Sequence, residues 1–149
     1  MKQILICIIV FLSLFQNCKA QSRDALEQYL VKNLSYQQVN HPQRKDSHIT
    51  IYQIEFKGCT MTYSIQVKEG NNIQRYTIRT SLSGISKITT GTNSDGYTIL
   101  TFTTGGKSIV KEYPDGKLVH EQLQFIPMIA KNQKALTYFN KLKDYCKNK

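Results

Sequence analysis

The sequence predicts an α+β fold: an antiparallel β-meander, arranged as a sandwich or barrel of about seven strands, with a short N-terminal helix and a packed C-terminal helix. Three observations lead there. From Ile49 onward apolar and polar residues alternate with a period of two, as in Met61-Thr-Tyr63-Ser-Ile65-Gln-Val67-Lys. That pattern places one face of a strand in a core and the other in water. Glycine, asparagine and aspartate recur between these runs, at Gly58, Gly70-Asn71-Asn72, Gly91 to Gly96, Gly105-Gly106 and Asp115-Gly116, where tight turns favour them. Finally, Ala135, Phe139, Leu142 and Cys146 follow one another at spacings of four, three and four, which marks one stripe of a helix.

At the N-terminus, Lys2 precedes an uncharged apolar run from Ile4 to Phe15 and a polar lead to Ala20. This reads as a secretory signal peptide over residues 1–20, cut between Ala20 and Gln21. The apolar run is shorter than the roughly 20 residues that cross a bilayer. Cys18 offers an alternative, a lipid carried on that cysteine. The residues before it, Phe15, Gln16 and Asn17, are bulkier than the small residues that pathway accepts. Cys18 and Ala20 at the third and first positions before the cut suit ordinary cleavage better. Residues 21–149 then form a single globular domain.

Ser22 is an N-cap candidate and Leu26, Leu30 and Leu34 recur at helical spacing, so a helix is predicted over Arg23 to Asn33. Residues 35–47 lack periodicity, contain Pro42 and read as a loop. In Tyr52-Gln-Ile54-Glu-Phe56 the alternation puts Tyr52, Ile54 and Phe56 on a core face. After Met61 to Lys68 and the turn at Glu69 to Asn72, Tyr76 to Leu82 resumes the pattern. Strands follow over Tyr97 to Thr103, Ser108 to Tyr113 and Leu118 to Phe125; in the last, Val119, Glu121, Leu123 and Phe125 share a face. Pro127 ends the ladder and suits the first turn of a helix, predicted from Ile129 to Lys147.

Twenty Lys and Arg against ten Asp and Glu give a net charge of +10, which biases the chain toward anionic partners. Lys68, Arg75 and Arg79 form a possible anionic-partner patch on one sheet surface, and lysines from Lys131 to Lys149 load the last helix. No aromatic-basic recognition motif accompanies them, and nucleic acid is not an expected partner. Of the four cysteines, Cys7 and Cys18 lie in the predicted signal peptide. The remaining two, Cys59 and Cys146, suggest one disulfide in an oxidising compartment, with two separately buried thiols as the alternative. Closing a loop of about ninety residues is worth about 4–5 kcal/mol in the chain-entropy view.

The chemistry the sequence hints at does not hold together. Gly106-Lys107-Ser108 resembles the end of a phosphate-binding loop, but Thr101 stands where its first glycine belongs and a strand follows instead of a helix. Asn93-Ser94-Asp95-Gly96 lacks the acid and the bidentate glutamate of a calcium loop. Cys59 with His48 or His120 is the one nucleophile–base pairing to name, and a disulfide would end it. No G-x-S-x-G, H-E-x-x-H or closely placed carboxylate pair is present. No cofactor or metal is implied.

The order of elements, about seven short antiparallel strands and then one amphipathic C-terminal helix, resembles the pleckstrin-homology-like fold over Ile49 to Lys147. That resemblance implies a non-catalytic peptide-binding or scaffold domain. Members that bind phosphoinositides share a basic first hairpin loop; here the matching turn is Lys57-Gly58-Cys59, so no lipid site carries over. The reading is a small exported, non-catalytic binding or scaffold domain, secreted or periplasmic, whose partner is a protein or an anionic envelope component. Its alternative is an envelope-surface protein held to anionic surfaces by charge or by a lipid on Cys18. Membrane association is expected only through the signal peptide or that lipid. Intact-mass measurement of the exported protein is expected to show a chain beginning at Gln21; an acylated Cys18 as first residue would overturn the cleavage reading.

Overall fold

A computed structural model describes residues 23–148. The signal peptide, the Ala20–Gln21 cut, the Cys18 lipid and the Ser22 cap lie outside the described residues. Helix α1 covers residues 23–34, and its Leu30 and Leu34 are fully buried while Leu26 packs beside them. The chain leaves it through Tyr36, whose φ is 56°.

Strands β1 (Gln37–Asn40), β2 (Ser47–Lys57), β3 (Thr60–Glu69) and β4 (Asn72–Ser81) follow as an antiparallel succession. Gly58 and Gly70 open the two-residue loops of the β2–β3 and β3–β4 hairpins at φ 55° and 58°, a region that glycine enters without a Cβ clash. A 3₁₀ turn at Leu82–Gly84 carries the chain to a second sheet, where β5 (Ile85–Thr92) pairs with β6 (Thr98–Thr104). Strands β7 (Ile109–Glu112) and β8 (Leu118–Glu121) return to the first sheet, and β9 (Leu123–Met128) rejoins the second. The result is a six-stranded sheet, β1-β2-β3-β4-β7-β8, facing a three-stranded one, β5-β6-β9. Helix α2 (Gln133–Lys147) closes over the gap, packing on β5 and the 3₁₀ turn.

Between these layers Ile51, Tyr63, Ile78, Phe102, Ile126 and Phe139 are almost wholly removed from water. Phe139 is the plug of α2: its ring meets Phe102 edge-on at 5.0 Å and lies 6.3 Å from Phe56. Cys59 in the β2–β3 loop is bonded to Cys146 in the last turn of α2, with Cα atoms 5.7 Å apart. Helix α1 is held beside them by Arg23, which pairs with Glu27, donates to the Gly58 carbonyl at 2.7 Å and lies 5.2 Å from the Tyr145 ring centre.

The sequence reading is corrected at five places. The expected loop at 35–47 contains β1, in which only Val39 is buried; a strand with one apolar residue has no period to reveal it, and pairing with β2 supplies its order. Strand β5 was unforeseen, so nine strands replace about seven. The single strand expected over Leu118 to Phe125 is two, split at Gln122 between the sheets, and the break reverses the phase: Gln124, Ile126 and Met128 point inward, while Leu123 and Phe125 are exposed. Pro127 does not start a helix. It lies within β9, an edge strand opposite Ile99, where a missing N–H is tolerated; α2 begins at Gln133, capped by the Asn132 side chain, which accepts from the Ala135 N–H at 2.9 Å. Lastly, Tyr52 faces outward.

Cys146→Ser is expected to lower unfolding free energy by about 2–5 kcal/mol through the freed denatured chain, and Phe139→Ala by about 3–5 kcal/mol through the cavity it leaves. Urea denaturation followed by circular dichroism checks both; an unchanged midpoint in either variant contradicts the assigned role.

Candidate functional site

The outward turn of Tyr52 comes from a β-bulge. Between Ile51, paired with Ile65, and Ile54, paired with Tyr63, strand β2 carries one residue more than β3. A regular strand would send Ile51 and Ile54 to opposite faces, and one would be stranded in water. The bulge keeps both isoleucines buried and turns Tyr52 and Gln53 together to the outer face of the six-stranded sheet, the re-aiming for which bulges are used.

On that face the β3–β4 register sets Gln66 opposite Arg75, Ser64 opposite Thr77 and Thr62 opposite Arg79. The Gln66 side-chain oxygen accepts from Arg75 Nε at 2.7 Å and from the Tyr52 hydroxyl at 3.3 Å. One amide thus holds a guanidinium and a phenol that would otherwise sample many rotamers. Ser64 and Thr77 share a hydroxyl hydrogen bond of 3.0 Å. Arg79 pairs with Glu112, which stands opposite Thr77 on β7. The β4–β7 ladder runs only from Thr77 to Thr80, and beyond it the chain turns through Tyr113, Pro114, Asp115 and Gly116. A shallow, open depression of about 360 Å³ lies among Tyr52, Ser64, Arg75, Tyr76, Thr77 and Glu112, with the Tyr113–Pro114 turn at one side; Gln66 and Arg79 stand next to it.

At the edge of the depression, Lys111 Nζ lies 3.8 Å from the centre of the Tyr76 ring and 5.4 Å from that of Tyr113, and 4.0 Å from Glu121. Burial pushes the Tyr76 phenol up, with the Lys111 ammonium opposing, and burial pushes Tyr63 up well beyond the ordinary tyrosine range. Both phenols are therefore neutral at physiological pH.

Lys68, Arg75 and Arg79 do share the outer face, as the alternation implied, but they do not converge. Arg79 stands four residues along β4 from Arg75, about 13 Å at strand rise, and Glu112 neutralises it. Lys68 stands at the other end, in the register pair with Ile73. Among the described residues no carboxylate pairs with Arg75 or Lys68. Tyr52, Gln66 and Glu112 escaped sequence reasoning. The available signal was the spacing Ile51 to Ile54, three residues where a strand requires two.

The other candidates resolve locally. Cys59 is bonded to Cys146 and is not a thiol. Asn93 makes a turn, its side chain accepting from the Tyr97 N–H at 2.8 Å. Among the described residues no three His, Cys, Asp or Glu are grouped to hold a metal, and no helix is long and apolar enough to cross a membrane. No protein-family model, no curated protein and no solved structure matches this chain.

Gln66→Ala removes the shared acceptor from an exposed face. Stability is expected to change by no more than about 0.5 kcal/mol, while the Arg75 Nε–H resonance loses its protection from solvent exchange in NMR. An Nε–H that exchanges as slowly as before would contradict the hub assignment.

Proposed function

We propose that the protein is a small exported, non-catalytic binding or scaffold domain whose partner docks on the outer face of the six-stranded sheet. The observation that carries this is the Tyr52–Gln66–Arg75 cluster: polar groups held in place beside a depression, with Tyr52 and Arg75 exposed. Ordered surface groups reduce the entropy that association must otherwise remove. The disulfide is at home in an oxidising, extracellular-type environment, and export by the N-terminal segment is the route this reading assigns. The resemblance to the pleckstrin-homology-like fold, drawn from a run of antiparallel strands followed by one closing helix, lends a scaffold role support by analogy alone.

A second reading, attachment to an anionic envelope surface, is favoured by charge placement. Lys131, Lys134, Lys141, Lys143 and Lys147 lie on or beside α2 against Asp144 alone. Its attraction would be screened over about 10 Å at 0.1 M salt, whereas docking in the groove depends on directed hydrogen bonds.

The two are separated by titrating ¹⁵N-labelled protein, from Gln21 on, with phosphatidylglycerol vesicles and, in parallel, with a soluble envelope extract of the source cells. Groove docking is expected to perturb amides of β3, β4 and β7 with the extract and to persist at 0.5 M salt. Perturbations confined to α2 and abolished by salt would replace it with the surface-attachment reading.

A further inference from the structure

Resting on the groove-docking reading, we infer that the ligand of this face is an acidic oligosaccharide, a chain of sugars bearing carboxylate groups. At the floor the backbone is already paired, β3 with both neighbours and β4 with β7 from Thr77 to Thr80, so Ser64 and Thr77 present hydroxyls there, whereas Asn72–Tyr76 of β4 has no β7 partner. A peptide adding as a strand would use that unpaired stretch of β4 and would leave the floor hydroxyls and the Tyr52 ring unused, whereas a sugar chain engages them.

Adjacent hydroxyls of a pyranose each donate and accept, and they match the paired donors and acceptors of guanidinium, amide and carboxylate groups. Arg75 and Glu112 supply a guanidinium and a carboxylate around the Ser64–Thr77 hydroxyl pair, and the Gln66 amide stands next to the groove holding Arg75. Tyr52, 38% exposed, offers a ring for the apolar C–H face of a sugar. Its hydroxyl is tied to Gln66, which fixes that ring.

Charge selects the acidic class. Among the described residues Arg75 is engaged through Nε alone, by Gln66, which leaves its two terminal nitrogens to form a forked pair with a ligand carboxylate. Glu112 would repel an anion, but Arg79 cancels its charge. Lys68, one strand over and two residues along, stands about 8 Å from Arg75 by strand spacing and rise. Two cations on one open face suit acid groups that recur along a chain, and the groove is shallow, as an extended polymer requires.

The test is isothermal titration of the protein with oligogalacturonate, a neutral cello-oligosaccharide of equal length and a polyglutamate peptide. Oligogalacturonate is expected to bind at least tenfold tighter than either other probe. Arg75→Ala should weaken it at least tenfold and Tyr52→Ala several-fold, while Lys87→Ala on β5 leaves it unchanged, with circular dichroism confirming the fold of each. Equal loss on Lys87→Ala, or no uronate binding at millimolar concentration, overturns the inference. Polyglutamate binding as tightly through Arg75 also overturns it, yet leaves docking on this face standing. An extract that leaves the β3, β4 and β7 amides unperturbed removes both.

Discussion

A two-sheet sandwich with a helix across its opening depends on what keeps the helix there. In α2 Ala135, Phe139, Leu142 and Cys146 are buried, and two of them make the defining contacts. Phe139 enters the core against Phe102, and Cys146 is tied to Cys59 across 87 residues. The first is hydrophobic and non-directional; the second fixes which end of the helix meets which hairpin. Because Cys59 lies in the loop that joins β2 to β3, the same bond anchors two of the strands that contribute to the groove. Arg23 adds α1 to this junction through the Gly58 carbonyl. Core closure and surface presentation therefore share one anchor point.

The outer face follows from a packing conflict solved locally. Burying Ile51 and Ile54 together requires an added residue in β2, and that residue turns Tyr52 outward beside Gln66. Once Gln66 accepts from both Tyr52 and Arg75, the surface acquires a defined shape from side chains that alone would be mobile. The polar face is thus a by-product of apolar packing on the opposite side, and the β3–β4 register aligns Ser64, Thr77, Gln66 and Arg75 with it. The ion pair of Arg79 with Glu112 adds little stability, being exposed on both sides. Its effect is to set the charge of the groove by silencing one carboxylate.

Much of this architecture was legible in the residues, and the failures have a common cause. Regular alternation revealed β3 and β4, the apolar stripe revealed α2, and the two cysteines outside the N-terminal segment revealed the bridge. What was missed lies where the period breaks. In β2 and again in β5 two buried isoleucines stand three apart, Ile51 with Ile54 and Ile85 with Ile88, with a register shift between them and two exposed residues inside. A period-two reading assigns Tyr52 inward in the first case and passes over the second. β9 was read in the wrong phase because the break at Gln122 resets it. Of the candidate site, Arg75, Arg79 and Lys68 were placed on the right face; their partners Gln66 and Glu112 were not, since pairing across strands is not written in local sequence.

The break at Gln122 has a consequence for how the molecule holds together. β8 and β9 are separated by that single residue, yet one completes the larger sheet and the other the smaller. The Gln122 carbonyl accepts from the Thr104 N–H at 2.9 Å at the end of β6, so the crossing is itself pinned. Neither sheet can gain its last strand without positioning the other's, and neither is a separable module. Such interlacing of distant chain segments makes for all-or-none cooperativity and, through its many non-local pairings, for slow assembly. A surface groove on one sheet is in this way backed by the stability of the whole.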